Sequence, residues 1–318
     1  MQKELGAIFE QTAREAYDAF PRQLRTLFLF MTDAKTPVYL APATAAKLSS
    51  ATQEVSRVIA RETAYIKRRN CVGMAYHPMR VAGHMVKMIG VHSDVSGVFN
   101  KRYTKDMRSV YVLDHEIGHQ VVPRGMVSGY LAECRADAFA TLRHLQRYGF
   151  DTDYFVLMTR AHSVVLGTSP VHYTTDIMEA VRAYARDNDI SGLPLAATAR
   201  LADRLVRSLP VGSADIHRLA KKFRPAARMA VRHCGGKKEL VDALYDRDHD
   251  AYEVFCRETA SVMRAHPADA RVISAGQRFL NFPPVHDFIT ARAKADPAWR
   301  RIADLSKAPT PAMKKHGA

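Results

Sequence analysis

Val110-Tyr111-Val112-Leu113-Asp114-His115-Glu116-Ile117-Gly118-His119 joins an apolar run to two histidines four residues apart. The run can continue as one buried helix through the motif. On a helix, positions i and i+4 share a face, so both imidazoles reach one ion while Glu116 lies beside it. With 14 His and 11 Glu among 318 residues, chance supplies about 0.02 H-E-x-x-H matches in a chain of this length. The alternative for His115 and His119 is a packed, hydrogen-bonded pair of core histidines. Gly118 costs about 1 kcal/mol relative to Ala inside a helix, which points to a close approach there, such as that of a neighbouring strand.

Working outward, a catalytic zinc site needs three protein ligands and one open position, so a third ligand must come from elsewhere. The best candidate is Glu133 in Glu133-Cys134-Arg135-Ala136-Asp137. Glu133 and Asp137 are also four apart, so one carboxylate can bind metal while the other orients a ligand histidine. A helix over 107–122, a turn at Pro123-Arg124-Gly125 and a second helix over 128–148 would return Glu133 alongside His119. The competing reading makes Glu133 a surface carboxylate paired with Arg135 or Arg124. Asp137 or His144 would then replace it as ligand. Asp137 reads almost equally well as an ordinary helix salt bridge.

These motifs resemble the gluzincin branch of the zinc metallopeptidases, which pairs a His-Glu-x-x-His helix with a later helix bearing Glu-x-x-x-Asp. The variant Glu-x-x-Ala-Asp followed by small apolar residues, Glu133 to Phe139-Ala140 here, looks most like the integral-membrane and stress-related branch of that clan. The resemblance covers about residues 107–149. Two features depart from it: thirteen residues separate His119 from Glu133, a short interval for a gluzincin, and the membrane helices of that branch are absent.

A peptidase of this kind would hold one zinc per chain through His115, His119 and Glu133. Glu116 would act as general base, taking a proton from the attacking water and delivering it to the leaving amine. A tetrahedral oxyanion needs a second donor, and Ser169-Pro170-Val171-His172-Tyr173 offers His172 and Tyr173, for which packing or helix capping is an equal alternative. His77, His84 and His92 are spaced by seven and eight residues, share no face, and read as scattered polar residues.

Composition bounds the rest. Hydrophobic residues at 47% and charged residues at 25% describe a globular chain. The best apolar run, Leu27 to Met31, is far below the roughly 20 residues of a membrane span. The N-terminus lacks a signal-peptide core, so a cytoplasmic start is expected, although export without a cleavable signal would look the same. Cys71, Cys134, Cys234 and Cys256 form no C-x-x-C pair and read as reduced thiols. Of the net charge of +15, residues 191–318 carry +10. Without aromatic-interleaved basic motifs, this excess favours a solvated surface over a nucleic-acid interface.

The expected fold is α+β and predominantly helical. A zincin-like metallopeptidase domain spans 1–190, with a small sheet before the active-site helix. A basic helical region spans 191–306, and 307–318 form a disordered tail. Periodicity predicts helices near 2–30 (broken at Pro21), 42–69, 153–165, 175–187, 195–208, 213–232, 237–264 and 284–303. A strand is expected at Thr36–Leu40, and the sheet falls within 71–100. The expected function is hydrolysis of a peptide or protein substrate. Two other classes stay open: a basic nucleic-acid- or protein-binding protein with a structural or vestigial zinc site, and a regulatory peptidase devoted to one partner.

Overall fold

A computed structural model of the chain describes residues 2–32, 34–69, 71–92, 104–123, 129–152, 157, 160, 170–236 and 249–309. These are predominantly helical, with one small mixed sheet. Among them no helix is long and apolar enough to cross a membrane. The chain divides into two compact units, Met1–Asp153 with Ile177–Leu209 and Tyr154–Asp176 with Pro210–Ala318.

The sheet of unit 1 is built on β1 (Leu27–Met31), five consecutive buried residues. Periodicity carries the N-terminal helix onward through Leu27 and Phe28; instead α1 ends at Ala19 (Gln2–Ala19) and the chain turns into this strand. A short, wholly apolar run has no period, and burial on both faces of a sheet accommodates it. β1 pairs antiparallel with β2 (Tyr39–Leu40), which is shorter than the strand expected at 36–40, and parallel with β5 (His84–Val91). β3 (Gly73–Ala75) adds antiparallel to β5, giving the order β2-β1-β5-β3, and β4 (Met79–Val81) folds back on β5. The β4–β5 turn, Ala82-Gly83, has φ of 46° and 78°, the left-handed pair a two-residue hairpin requires.

Strand alternation separates two faces of the sheet. Phe28, Phe30, Val86 and Met88 pack with Val55, Val58, Ile59 and Ile66 of α3 (Thr52–Arg69). Each such side chain removed from water contributes about 1.5–3 kcal/mol. The helix expected over 42–69 is two, α2 (Pro42–Leu48) and α3. Ser49 turns its hydroxyl back to the Ala46 carbonyl at 3.1 Å, and the chain bends before restarting.

α4 (Lys105–Val121) and α5 (Tyr130–Tyr148) lie within about two residues of their expected bounds. Thr104 caps α4 by accepting from the Met107 N–H at 3.2 Å. Most of the turn at Pro123-Arg124-Gly125 falls outside the described residues. α6 (Thr175–Asp187) and α7 (Leu195–Arg207) follow. α7, which the sequence groups with the C-terminal region, packs on α5 within unit 1.

Unit 2 contains α8 (Ser213–His233), α9 (His249–Ala265), α10 (Ala270–Leu280), α11 (Pro283–Ala293) and α12 (Pro297–Lys307). The helix expected over 284–303 is therefore broken. Pro297 has no N–H to extend a helix and biases its predecessor to extended geometry. Asp296 accordingly sits at φ −127°, ψ 119° and accepts from the Ala298 N–H at 2.7 Å. α10, absent from the sequence reading, is capped by Asp269, which accepts from the Arg271 and Val272 N–H groups at 3.0 and 3.2 Å. Aromatic contacts tie these helices: Phe255 to Phe279 at 5.5 Å and Phe288 edge-on to Trp299 at 5.1 Å. Most of the helix expected at 153–165, the first half of 237–264, Val98-Phe99 and 310–318 lie outside the described residues.

Candidate metal centre

α4 and α5 build the site between them. Their backbones approach closely at Gly118, where a Cβ would lie 3.0 Å from Ala136 Cα and 3.2 Å from the Ala136 carbonyl oxygen. The glycine thus admits a helix, where a strand was the expected neighbour. An ion pair between Arg147 of α5 and the buried Asp114 of α4 fastens the far end of the contact.

At the near end the structure brings His115, His119 and Glu133 together, with one donor atom from each lying within 4.8 Å of the others. His115 Nε2 and His119 Nε2 are 3.1 Å apart. Glu133 places Oε2 3.4 Å from the first and Oε1 3.6 Å from the second. Ligand atoms sharing one zinc at about 2.0–2.1 Å in a tetrahedron stand roughly 3.3 Å apart, so this donor set fits a single ion of that size. Two imidazoles and a carboxylate also match the ligand chemistry of such an ion. This cluster could therefore hold a metal ion.

Asp137 is wholly buried and orients the first ligand, its Oδ1 lying 2.7 Å from His115 Nδ1. A carboxylate only accepts, so Nδ1 carries the proton and Nε2 turns its lone pair toward the cluster. The same Oδ1 accepts from the Tyr111 hydroxyl at 2.9 Å, and that hydroxyl is 3.5 Å from Thr141 Oγ1. The sequence reading missed Tyr111. Its signal was position: it precedes His115 by one helical turn and so shares its face.

Exposure is graded across the cluster, with side chains 7% exposed at His115, 14% at His119 and 16% at Glu133. The ligand side held by Asp137 is closed, and the His119–Glu133 side is partly open. Glu116 is buried next to β3. A Cβ on Gly73 would come 2.9 Å from Glu116 Oε1 and 2.5 Å from Val112 Cγ1, so only glycine leaves that carboxylate its place. Cys71 lies close enough to feel Glu116: burial first, and then that negative charge, push its thiol above the ordinary cysteine range. None of the four cysteines is joined in a disulfide among the described residues.

Arg135, one of the competing partners of Glu133, is engaged elsewhere. Arg135 Nε donates to Asp203 Oδ1 of α7 at 2.9 Å, and Arg207 donates to the other oxygen. Burial raises the Asp203 pKa, but the hydrogen bonds and charges of Arg207 and Arg135 outweigh it and hold the carboxyl below the usual range. Arg124 lies outside the described residues. His144, the alternative ligand, stands about three turns further along α5, with Nε2 2.8 Å from Thr152 Oγ1. Burial, with help from the Arg147 charge, lowers its pKa to about 4.

His172 ends a short 3-10 turn, Pro170–His172, half-buried in unit 2. Tyr173 follows it, fully buried, its hydroxyl accepting from Arg278 Nη1 at 2.6 Å. Burial raises the Tyr173 pKa against the lowering effect of Arg278. Both belong to unit 2, whereas His115, Glu116, His119, Glu133 and Asp137 belong to unit 1. Of His77, His84 and His92, none joins a metal-binding group among the described residues. Comparison with protein-family models, curated proteins and solved structures finds no match to this chain.

Proposed function

We propose that this protein is a zinc-dependent peptidase, with His115, His119 and Glu133 holding the ion and Glu116 as general base. The observation that carries the reading is the convergence of two imidazole nitrogens and one carboxylate at 3.1–3.6 Å, with Glu116 one residue from the first of them and outside that cluster. A purely structural site has no use for that glutamate. The resemblance of the two helices to the gluzincin pair supports the same assignment.

Zinc bound there would polarise a scissile carbonyl and lower the pKa of water to about 7. Glu116 then holds the proton taken from the water and passes it to the leaving nitrogen. Asp137 keeps His115 in the tautomer that offers Nε2, and Tyr111 keeps Asp137 in place. The partly open His119–Glu133 side admits substrate.

β3 suits an extended peptide. Val72 and Tyr76 direct backbone groups to β5, with His92 N to Val72 O at 2.8 Å and Tyr76 N to Met88 O at 2.9 Å. Alternation turns those of Gly73 and Ala75 to the outer edge, which pairs with no strand among the described residues. A peptide added along this edge would run past Glu116.

Elemental mass spectrometry of the purified protein tests the metal assignment. Near one zinc per chain is expected in the parent and in Glu116→Gln, with marked loss in His115→Ala and Glu133→Ala. A parent that takes up no zinc on reconstitution ends the peptidase reading, and full retention by Glu133→Ala ends the assignment of that ligand. Peptide-library digestion, with Glu116→Gln as the inactive control, then tests hydrolysis.

A further inference from the structure

α8 presents two unlike faces. Ile216, Leu219, Ala220, Phe223, Ala226, Ala227 and Ala230 are buried within unit 2, whereas Lys221, Arg224, Arg228 and Arg232 are exposed. At 100° per residue these four fall within an arc of about 80°, and at 1.5 Å per residue they form a row about 16 Å long. His217 lies in the same arc one turn earlier.

The row is uninterrupted. Asp215, the single acid of the helix, is taken up by Arg218 and Arg271, and Asp269 is taken up by Lys222. Among the described residues, none of the four cations has an acidic partner. A merely solvated helix face mixes signs, because like charges at i,i+3 and i,i+4 destabilise it. Here three such steps follow one another without relief.

We propose that this face of α8 binds the phosphate backbone of a nucleic acid. Three of the four cations are arginines, whose planar fork engages phosphate through two parallel hydrogen bonds. A straight row of charge suits a linear polyanion. An anionic bilayer is a poorer match, since the apolar face of α8 is committed to the core and cannot enter the lipid boundary. An acidic protein surface is also poorer, since Met229 is the one large exposed apolar residue along the helix. Phosphate contacts of this kind carry no base sequence, so binding is sequence-independent. The proposal rests on unit 2 alone and stands apart from the metal centre.

The test is fluorescence anisotropy of the full chain with a labelled oligonucleotide of about 20 residues, single-stranded and as duplex. Neutralising four phosphates gives slopes of log K on log salt of about −2.8 for single strands and −3.6 for duplex. Raising salt from about 50 to 200 mM should then weaken binding roughly 50- to 150-fold. K221Q/R224Q/R228Q/R232Q should lose binding at least about tenfold with a melting temperature no lower than the parent's, since the like-charge repulsion along the row is relieved. The exposed control set R264Q/K294Q/R301Q/K307Q, equal in charge removed, should change it less than about threefold.

If the quadruple variant does not fold, R228Q alone should flatten the slope by about 0.7–0.9. An unchanged slope there overturns the proposal. So does absence of binding at low salt, equal loss in the control set, or capture by phosphatidylserine vesicles without capture by either oligonucleotide.

Discussion

Tyr111 and His115, one turn apart on α4, both hydrogen-bond the same oxygen of Asp137, at 2.9 and 2.7 Å. Three side chains of two helices thereby fix the direction of one nitrogen lone pair. Tyr111→Phe should therefore weaken zinc binding by about tenfold, and Asp137→Asn by about 10- to 100-fold. Competition against a chromogenic chelator measures both. Equal affinity in parent and Tyr111→Phe would show that the hydroxyl does not support the ligand.

Gly118→Ala opposes two effects. Alanine is intrinsically better in a helix by about 1 kcal/mol. Its Cβ, however, would meet Ala136 backbone at 3.0 Å, and overpacking typically costs about 1–3 kcal/mol. Net destabilisation is expected, larger for Gly118→Val, with reduced zinc affinity as α4 and α5 separate. Urea denaturation read by circular dichroism gives the sign, and a stabilised Gly118→Ala would refute the close contact.

Glu116→Gln separates binding from chemistry. The amide occupies the same volume beside Gly73 and keeps the ligands in place, but it cannot accept the proton. Zinc content should stay near that of the parent while peptide hydrolysis falls by at least about 100-fold, the lower end of what a general base contributes. Comparable hydrolysis by this variant would remove Glu116 from the mechanism.

His144 makes stability depend on pH. Folded, its pKa is about 4, against about 6.5 unfolded. Between those values the unfolded chain binds the proton and the folded chain does not, so stability falls as pH drops from about 6.5 to 4 and is fully present above that window. The loss is on the order of 3 kcal/mol at the acid end. Melting temperatures of parent and His144→Gln from about pH 7 to 4.5 should converge as pH falls. Parallel curves would contradict this role.

Much of this site was legible in the chain. His115 and His119 stand four apart on α4, and Glu133 and Asp137 four apart on α5, so the shared face of each pair follows from backbone geometry alone. Asp137 was legible for the same reason, although its choice of His115 over a surface cation was not. Pairing with Arg135 was ruled out by Asp203, 68 residues further along the chain, which draws that guanidinium to α7.

Local pattern also determined the bounds of α4, α5 and α6, where amphipathic periods run long between clear stops. It failed where two structures share one pattern. Leu27–Met31 is apolar throughout, and only a parallel partner at β5 made it a strand. Gly73 and Gly118 could be read as glycines, but what each makes room for, Glu116 and Ala136, depends on atoms brought together from distant positions. The sequence by itself determined that His115 and His119 share one helical face and Glu133 and Asp137 another, because helical spacing is a local property; that Glu133 is the carboxylate brought to the two histidines was decided by the packing of α4 on α5. Only the tertiary structure decided that Tyr111 stands behind Asp137, and that Asp215 and Asp269 are drawn to Arg271 and Lys222 and not to the row of cations on α8. Those choices rest on packing between segments whose separation no local rule can span.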